Sequence, residues 1–207
     1  MKPSLIYVAD TMCSWCWGFQ PALTALCQAH PELPVRIING GLRPGSAAQT
    51  LDASLRGYLT QAWRSVEAAS GQPFDWTVLD WTDFRYDTDP AARAVVAVRR
   101  LEPTRELDYF RALQAAFYAQ GRDITRVTVQ VEVAEACGLD ATQMNAALGA
   151  PDLGLVTRSD YLEARSLGVQ GFPTLLLDRG EDLRGICAGF KTSDGLLSAF
   201  EAVLEHA

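Results

Sequence analysis

A pair of cysteines two residues apart, placed where a strand hands over to a helix, constrains this chain more than any other feature. Residues 4–9 (SLIYVA) form a short β-rich apolar run, and DTMCSWCWGFQP follows, with Phe19, Leu23, Leu26 and Cys27 at helical spacing behind it. The order predicts strand, turn and helix, with Cys13 and Cys16 in the first helical turn. There, several backbone N–H groups lack an intrahelical partner and the positive end of the helix dipole lies close, so thiolate is favoured at the first cysteine. Cys13 is therefore the expected nucleophile. Cys16, three residues on and more buried, is expected to remain a thiol until it attacks a mixed disulfide and releases the partner. The plainer readings are two small core residues or half of a zinc site. Zinc needs about four ligands, and the chain has only 2 histidines and no second Cys-x-x-Cys, so no metal is expected.

After His30-Pro31 and Pro34, VRIIN (35–39) reads as a second strand ended by Gly40-Gly41, so residues 4–40 predict a β-α-β unit with parallel strands and a right-handed crossover. From Pro44 to about Leu167 the apolar period becomes helical, with no convincing strand. Breaks at Gly71-Gln72-Pro73, Asp89-Pro90, Glu102-Pro103, Gly121, Gly138 and Gly149-Ala150-Pro151 divide the stretch into roughly five to seven helices. A crossover this long predicts an inserted helical subdomain. Strand signals return at PTLLLD (173–178) and LRGICA (183–188), a hairpin about Arg179-Gly180-Glu181-Asp182. A last helix over about 192–205 carries Leu196, Leu197, Phe200, Val203 and Leu204 on one face.

Several residues near the cysteines have two readings. Asp10 could cap the helix or relay a proton from Cys16, and capping is favoured because Asp is a preferred N-cap. Trp15 and Trp17 could form an apolar collar for substrate, although core packing explains Trp17 as well. Pro21 should kink the helix. Arg43 follows the second strand at the sheet end where ligands bind in open α/β folds, and could hold a carboxylate there; a solvated loop arginine is the default. Arg99 and Arg100 read as solvated surface. Cys27 lies about 16 Å along the helix from Cys16, too far to bond with it, and reads as core, as do Cys137 and Cys187. Gly171-Phe172-Pro173-Thr174 puts a proline at the first position of a strand. That is ordinary there, but a cis bond would turn the Phe172 backbone toward the cysteines, where it could pair with an extended substrate.

The Cys-x-x-Cys after the first strand, the long helical insert and the Pro-Thr strand start together resemble the thioredoxin superfamily, and the inserted helices resemble its DsbA branch. DTMCSWCWGF, NGGLRPG, DTDPAARAVVAVRR and GVQGFPTLLL resemble the cytoplasmic, FrnE-like proteins over essentially the whole chain. The resemblance implies a cis Pro173 packed against the active disulfide, Cys13 as attacking thiol, Cys16 as resolving thiol, and Phe172-Pro173 facing substrate. DsbA has Pro-His between its cysteines, whereas Ser14 and Trp15 stand here. Without that histidine, and with one hydrogen bond available from Ser14, the couple is expected to be less oxidising than that of DsbA. Weak oxidant, isomerase and reductase all remain open.

The expected fold class is thus α/β, a thioredoxin-like fold of β-α-β and β-β-α motifs with a large all-helical insertion. Residues 1–43 and 168–207 would form the thioredoxin-like domain, and 44–167 the inserted subdomain. The expected function is thiol-disulfide exchange through Cys13, Cys16 and Pro173, with Ser14, Trp15 and Phe172 binding substrate. No bound cofactor is expected, with glutathione a possible co-substrate. Partners would be proteins carrying thiols or disulfides, or glutathione; no oligomeric state follows. With 25 acidic against 18 basic residues, a net charge of -7 leaves no basic field for nucleic acid or anionic lipid. The first ten residues lack the apolar length of a signal peptide, no run is long enough to span a membrane, and 5 cysteines suit a reducing compartment, so the expected location is the cytoplasm. Two other classes fit the same architecture. Kappa-class glutathione transferases and hydroxychromene-carboxylate isomerases share it but carry serine in place of the reactive cysteine. A redox-sensing, chaperone-like binding module is the non-enzymatic reading.

Overall fold

The computed structural model describes residues 2–205; Met1 and residues 206–207, which the expected domain boundaries include, lie outside them. The chain opens with β1 (Ser4–Ala9), α1 (Ser14–Gly18), α2 (Gln20–Ala29) and β2 (Val35–Asn39). A short β3 (Gln49–Thr50) and α3 (Ala53–Ser70) precede β4 (Arg85–Tyr86) and α4 (Asp89–Leu101). Then come α5 (Glu106–Tyr118), α6 (Val127–Ala136), α7 (Ala141–Leu148) and α8 (Leu153–Ser166), and the chain closes with β5 (Thr174–Asp178), β6 (Leu183–Ala188) and α9 (Ser193–Glu205).

Four strands form one sheet in the order β2-β1-β5-β6. β1 runs parallel to β2, pairing Leu5 with Val35 and Ala9 with Asn39, and antiparallel to β5, pairing Tyr7 with Leu175. β1 is thus central and covered on both faces. Leu5, Tyr7 and Ala9 enter the main core, while Ile6 and Val8 pack with Ile38 and Ala164 on the opposite side, following the two-residue alternation of a strand. β6 pairs antiparallel with β5, with a register shift between Leu175 and Leu176. The main core runs from the sheet into the helices between β2 and β5, where Trp63 packs on Phe74, Phe117 and Tyr118.

Four expectations need correction. The helix after the cysteines is two helices: Phe19 ends α1 and serves as the N-cap of α2, and Pro21 sits in the first turn of α2, where its missing N–H costs nothing. The helical stretch also holds a short antiparallel ladder in which Gln49 pairs with Tyr86 and Thr50 with Arg85. Two-residue strands are too short to show a period.

Arg99 is not solvated surface. It donates to both oxygens of Asp160 at 2.9 and 2.8 Å, to Glu106 at 2.6 Å and to the Ile37 carbonyl at 2.8 Å. The cluster ties α4, α5 and α8 to β2. Burial opposes the charge on Arg99, but its two carboxylate partners outweigh that and hold it above its ordinary value. Arg100 does lie outside, paired with the exposed Asp152. Finally, Cys27 and Cys137 are only half-buried against the core; Cys187 is buried on β6.

Candidate active site

Three segments meet at one end of the sheet: the turn from β1 into α1, the loop after β2, and the start of β5. The first carries the cysteines. Cys13 is the N-cap of α1, with an extended backbone (φ -91, ψ 114) and its carbonyl accepting the Trp17 N–H at 3.1 Å. No side chain caps this helix, so its first N–H groups stay available around the Cys13 sulfur. Asp10 does something other than cap it. Its carbonyl accepts the Cys13 N–H in a tight turn, which leaves its carboxylate beneath Met12, one residue short of the helix. Oδ1 accepts the Met12 N–H at 2.9 Å and Oδ2 the Leu42 N–H at 2.8 Å, so Asp10 joins the cysteine turn to the loop after β2. Burial pushes its carboxyl above the usual value, and those two N–H groups pull the other way.

The two thiols differ in access. Cys13 is 7% exposed and Cys16 is 0% exposed; both are free. Burial, followed by the neighbouring Cys13, pushes the Cys16 thiol well above the ordinary value, while a backbone hydrogen bond with Asp10 pulls the other way. Cys16 therefore stays protonated unless a reaction at Cys13 draws on it.

Phe172 and Pro173 come from the far end of the chain. The Phe172–Pro173 peptide is cis. The Cys13 thiol lies 3.8 Å from the Phe172 carbonyl oxygen, within reach of a weak S–H···O contact. Gly40 makes room for the half-buried Phe172 ring, since a Cβ at that position would run into it. Trp15 is half-buried and packs on Phe190 beyond β6, with ring centroids 5.4 Å apart. Ser14, the first residue of α1, is half-buried. Trp17 faces inward, its Nε1 donating to the Pro73 carbonyl at 3.1 Å and its ring stacked on Tyr118, so it belongs to the core.

Beneath the cysteines lie tyrosines that sequence reasoning missed. Tyr86 donates from its hydroxyl to the Met12 carbonyl at 2.7 Å. The Tyr7 hydroxyl is buried, has no hydrogen-bond partner of ordinary geometry, and lies against Cys16; burial first, and then Cys16, pushes it well above its ordinary value. Tyr7 had one legible signal, its place on the same strand face as Leu5 and Ala9. Tyr86 had none, because its short strand has no pattern. Among the described residues, no group of three or more His, Cys, Asp or Glu side chains could hold a metal ion.

A dithiol at an uncapped helix start, one cysteine slightly exposed and the other sealed, on a sheet whose β5 follows a cis proline, defines a thioredoxin-fold thiol-disulfide oxidoreductase. The comparisons agree. The DSBA-like thioredoxin domain profile matches residues 4–201. The chain belongs to the DsbA-like thioredoxin family. It is similar to a proposed protein disulfide isomerase from Nitrosomonas europaea, with 30% identity, a TM-score of 0.91, and 100% of this chain and 99% of that one covered. It is also similar to the cytosolic disulfide reductase DsbM from Pseudomonas aeruginosa, with 28% identity, a TM-score of 0.80, and 99% and 100% covered; that protein has also been solved with glutathione. A probable DsbA oxidoreductase from Streptomyces coelicolor shares the fold at 21% identity and a TM-score of 0.77, with 100% of this chain and 92% of that one covered. No curated protein sequence matches the chain.

Proposed function

We propose that the chain reduces disulfides through the Cys13/Cys16 pair and is returned to the dithiol by glutathione. The observation that carries this is the contrast between a Cys13 sulfur at an uncapped helix start, 3.8 Å from the Phe172 carbonyl, and a sealed Cys16. The Cys13 thiolate attacks one sulfur of a substrate disulfide, the substrate S–S bond breaks, and one substrate thiolate leaves. Cys16 then attacks the Cys13 sulfur of the mixed disulfide, gives its proton to the second leaving sulfur, and closes the Cys13–Cys16 disulfide. Two electrons have passed to the substrate. Two glutathione thiols reverse the steps on the enzyme and leave as glutathione disulfide.

In this reading Phe172 and Pro173 border the substrate, Ser14 and Trp15 line the approach, and residues 44–167 act as a helical subdomain over the thioredoxin-like parts, 1–43 and 168–207. Cytoplasmic location belongs to the same reading and draws support from the likeness to DsbM. The decisive measurement is the reduction potential of the Cys13/Cys16 couple. A value at or below about -200 mV fits a reductase in the glutathione range; one near the -120 mV or so of DsbA would make the chain an oxidant and overturn the direction. Full activity in Cys13→Ser would overturn the site itself.

A further inference from the structure

Between the loop after β2 and the start of α3 lies a solvent-open cavity that no step of the exchange uses. It has a volume of about 570 Å³, and its walls include Arg43, Gln49, Thr50, Asp52, Ser54 and Tyr58. Arg43 is held in place there: its guanidinium carbon lies 5.8 Å from the centre of the Tyr58 ring and 5.6 Å from that of Tyr86, and its Nε donates to Gln49 Oε1 at 3.0 Å. Asp52 is the N-cap of α3, its Oδ1 accepting the Leu55 N–H at 2.8 Å. Among the described residues neither Arg43 nor Asp52 forms an ion pair. One cavity thus carries a positive and a negative group that do not neutralise each other. A guanidinium already stacked on aromatic rings loses little freedom when its planar fork takes a carboxylate.

The cavity is tied to the cysteine turn at two points. Leu42, the chain neighbour of Arg43, donates its N–H to Asp10, and Tyr86, on which Arg43 stacks, donates to the Met12 carbonyl next to Cys13. These two bonds couple the loop that carries Arg43 to the turn that carries the nucleophile. The walls call for a ligand that bears both an anion and a cation, and the glutathione-linked reading supplies a carrier with a thiol.

We infer that this cavity seats the α-amino-acid end of a γ-glutamyl thiol, Arg43 pairing with the α-carboxylate and Asp52 with the α-ammonium, while the cysteinyl sulfur reaches Cys13. This rests on the glutathione-linked reading above and assigns the charged end of that ligand. In γ-glutamylcysteine seven bonds, about 10 Å of chain at roughly 1.5 Å per bond, separate the sulfur from the γ-glutamyl α-carbon, so one molecule can hold its charged end apart from its sulfur. The glycine end of glutathione carries a carboxylate alone and would leave Asp52 facing an anion, so the γ-glutamyl end is assigned.

The test uses the whole protein and S-methylated probes, which bind but cannot exchange. Titration calorimetry should give similar Kd values for S-methylglutathione and S-methyl-γ-glutamylcysteine, and binding at least about tenfold weaker for S-methyl-cysteinylglycine. Arg43→Gln should weaken the first two about tenfold. Asp52→Asn, which still caps α3, should weaken them several-fold without changing the melting temperature. Equal binding of all three probes, tighter binding of the cysteinylglycine derivative, or no binding of S-methylglutathione to the unaltered protein would overturn the assignment. These outcomes are read from binding alone. Failure of the dithiol reading appears elsewhere, as exchange activity that survives Cys13→Ser.

Discussion

The Cys13 sulfur lies 3.8 Å from the carbonyl oxygen of Phe172, a residue 159 positions further along the chain. The Phe172 carbonyl thus borders the Cys13 sulfur, while Cys16 is fully enclosed. In Cys16→Ala the nucleophile remains without a resolver, so mixed disulfides through Cys13 should accumulate with glutathione or substrate proteins. Cys13→Ala should form none. Intact-mass analysis under non-reducing conditions reads the result; adducts on Cys16 in Cys13→Ala would reverse the two roles.

The four other cysteines share one property, thiols raised above the ordinary value chiefly by burial, with Cys187 pushed up to about 11. Alkylation at pH 7 of the reduced, folded protein should therefore label Cys13 first, at least about tenfold faster than any other cysteine. Peptide mapping after short exposure to iodoacetamide gives the order. Faster labelling of Cys27 or Cys137, both half-buried, would contradict it.

Alkaline pH should separate the two redox forms. In the unfolded chain Cys16 titrates near about 8.5, whereas in the folded, reduced protein burial holds it well above that. The folded state keeps a proton that the unfolded chain gives up. Stability from this group is therefore complete below about pH 8.5 and is lost as pH rises toward the folded value, by up to about 1.4 kcal/mol per pH unit. The oxidised protein has no such proton. Melting temperatures measured from pH 7 to 10 should fall more steeply for the reduced protein, and Cys16→Ala should lose the excess slope. Parallel curves would refute the buried-thiol account.

Arg99→Met should destabilise the fold by about 3 kcal/mol, because Glu106 and Asp160 would remain buried without their cation. For a chain of this size that lowers the melting temperature by roughly 6 to 12 °C. Arg100→Met, which removes only the pair with the exposed Asp152, should leave the melting temperature nearly unchanged. Equal losses from the two variants would mean that the buried cluster holds nothing together.

The sequence by itself determined the local elements: the β1 run, the helix start at the cysteines, the hairpin of β5 and β6, and the helical character of the stretch between β2 and β5. Each is written in periodicity and turn residues, which act over a few neighbours. It also carried the resemblance to the DsbA branch, because the motifs lie in short contiguous runs. The tertiary structure decided which distant groups meet. Asp10 had a preferred capping residue's identity, yet the turn of the backbone gives its two oxygens to Met12 and Leu42. Arg99 looked like one of a pair of surface charges, and only the packing of α4 against α8 and β2 encloses it with Asp160. Arg43 and Asp52 share a cavity because the loop after β2 and the start of α3 converge there. Periodicity tells which face of an element is buried. The partner of that face is set by long-range packing, in which burial and charge compensation across many residues are satisfied together.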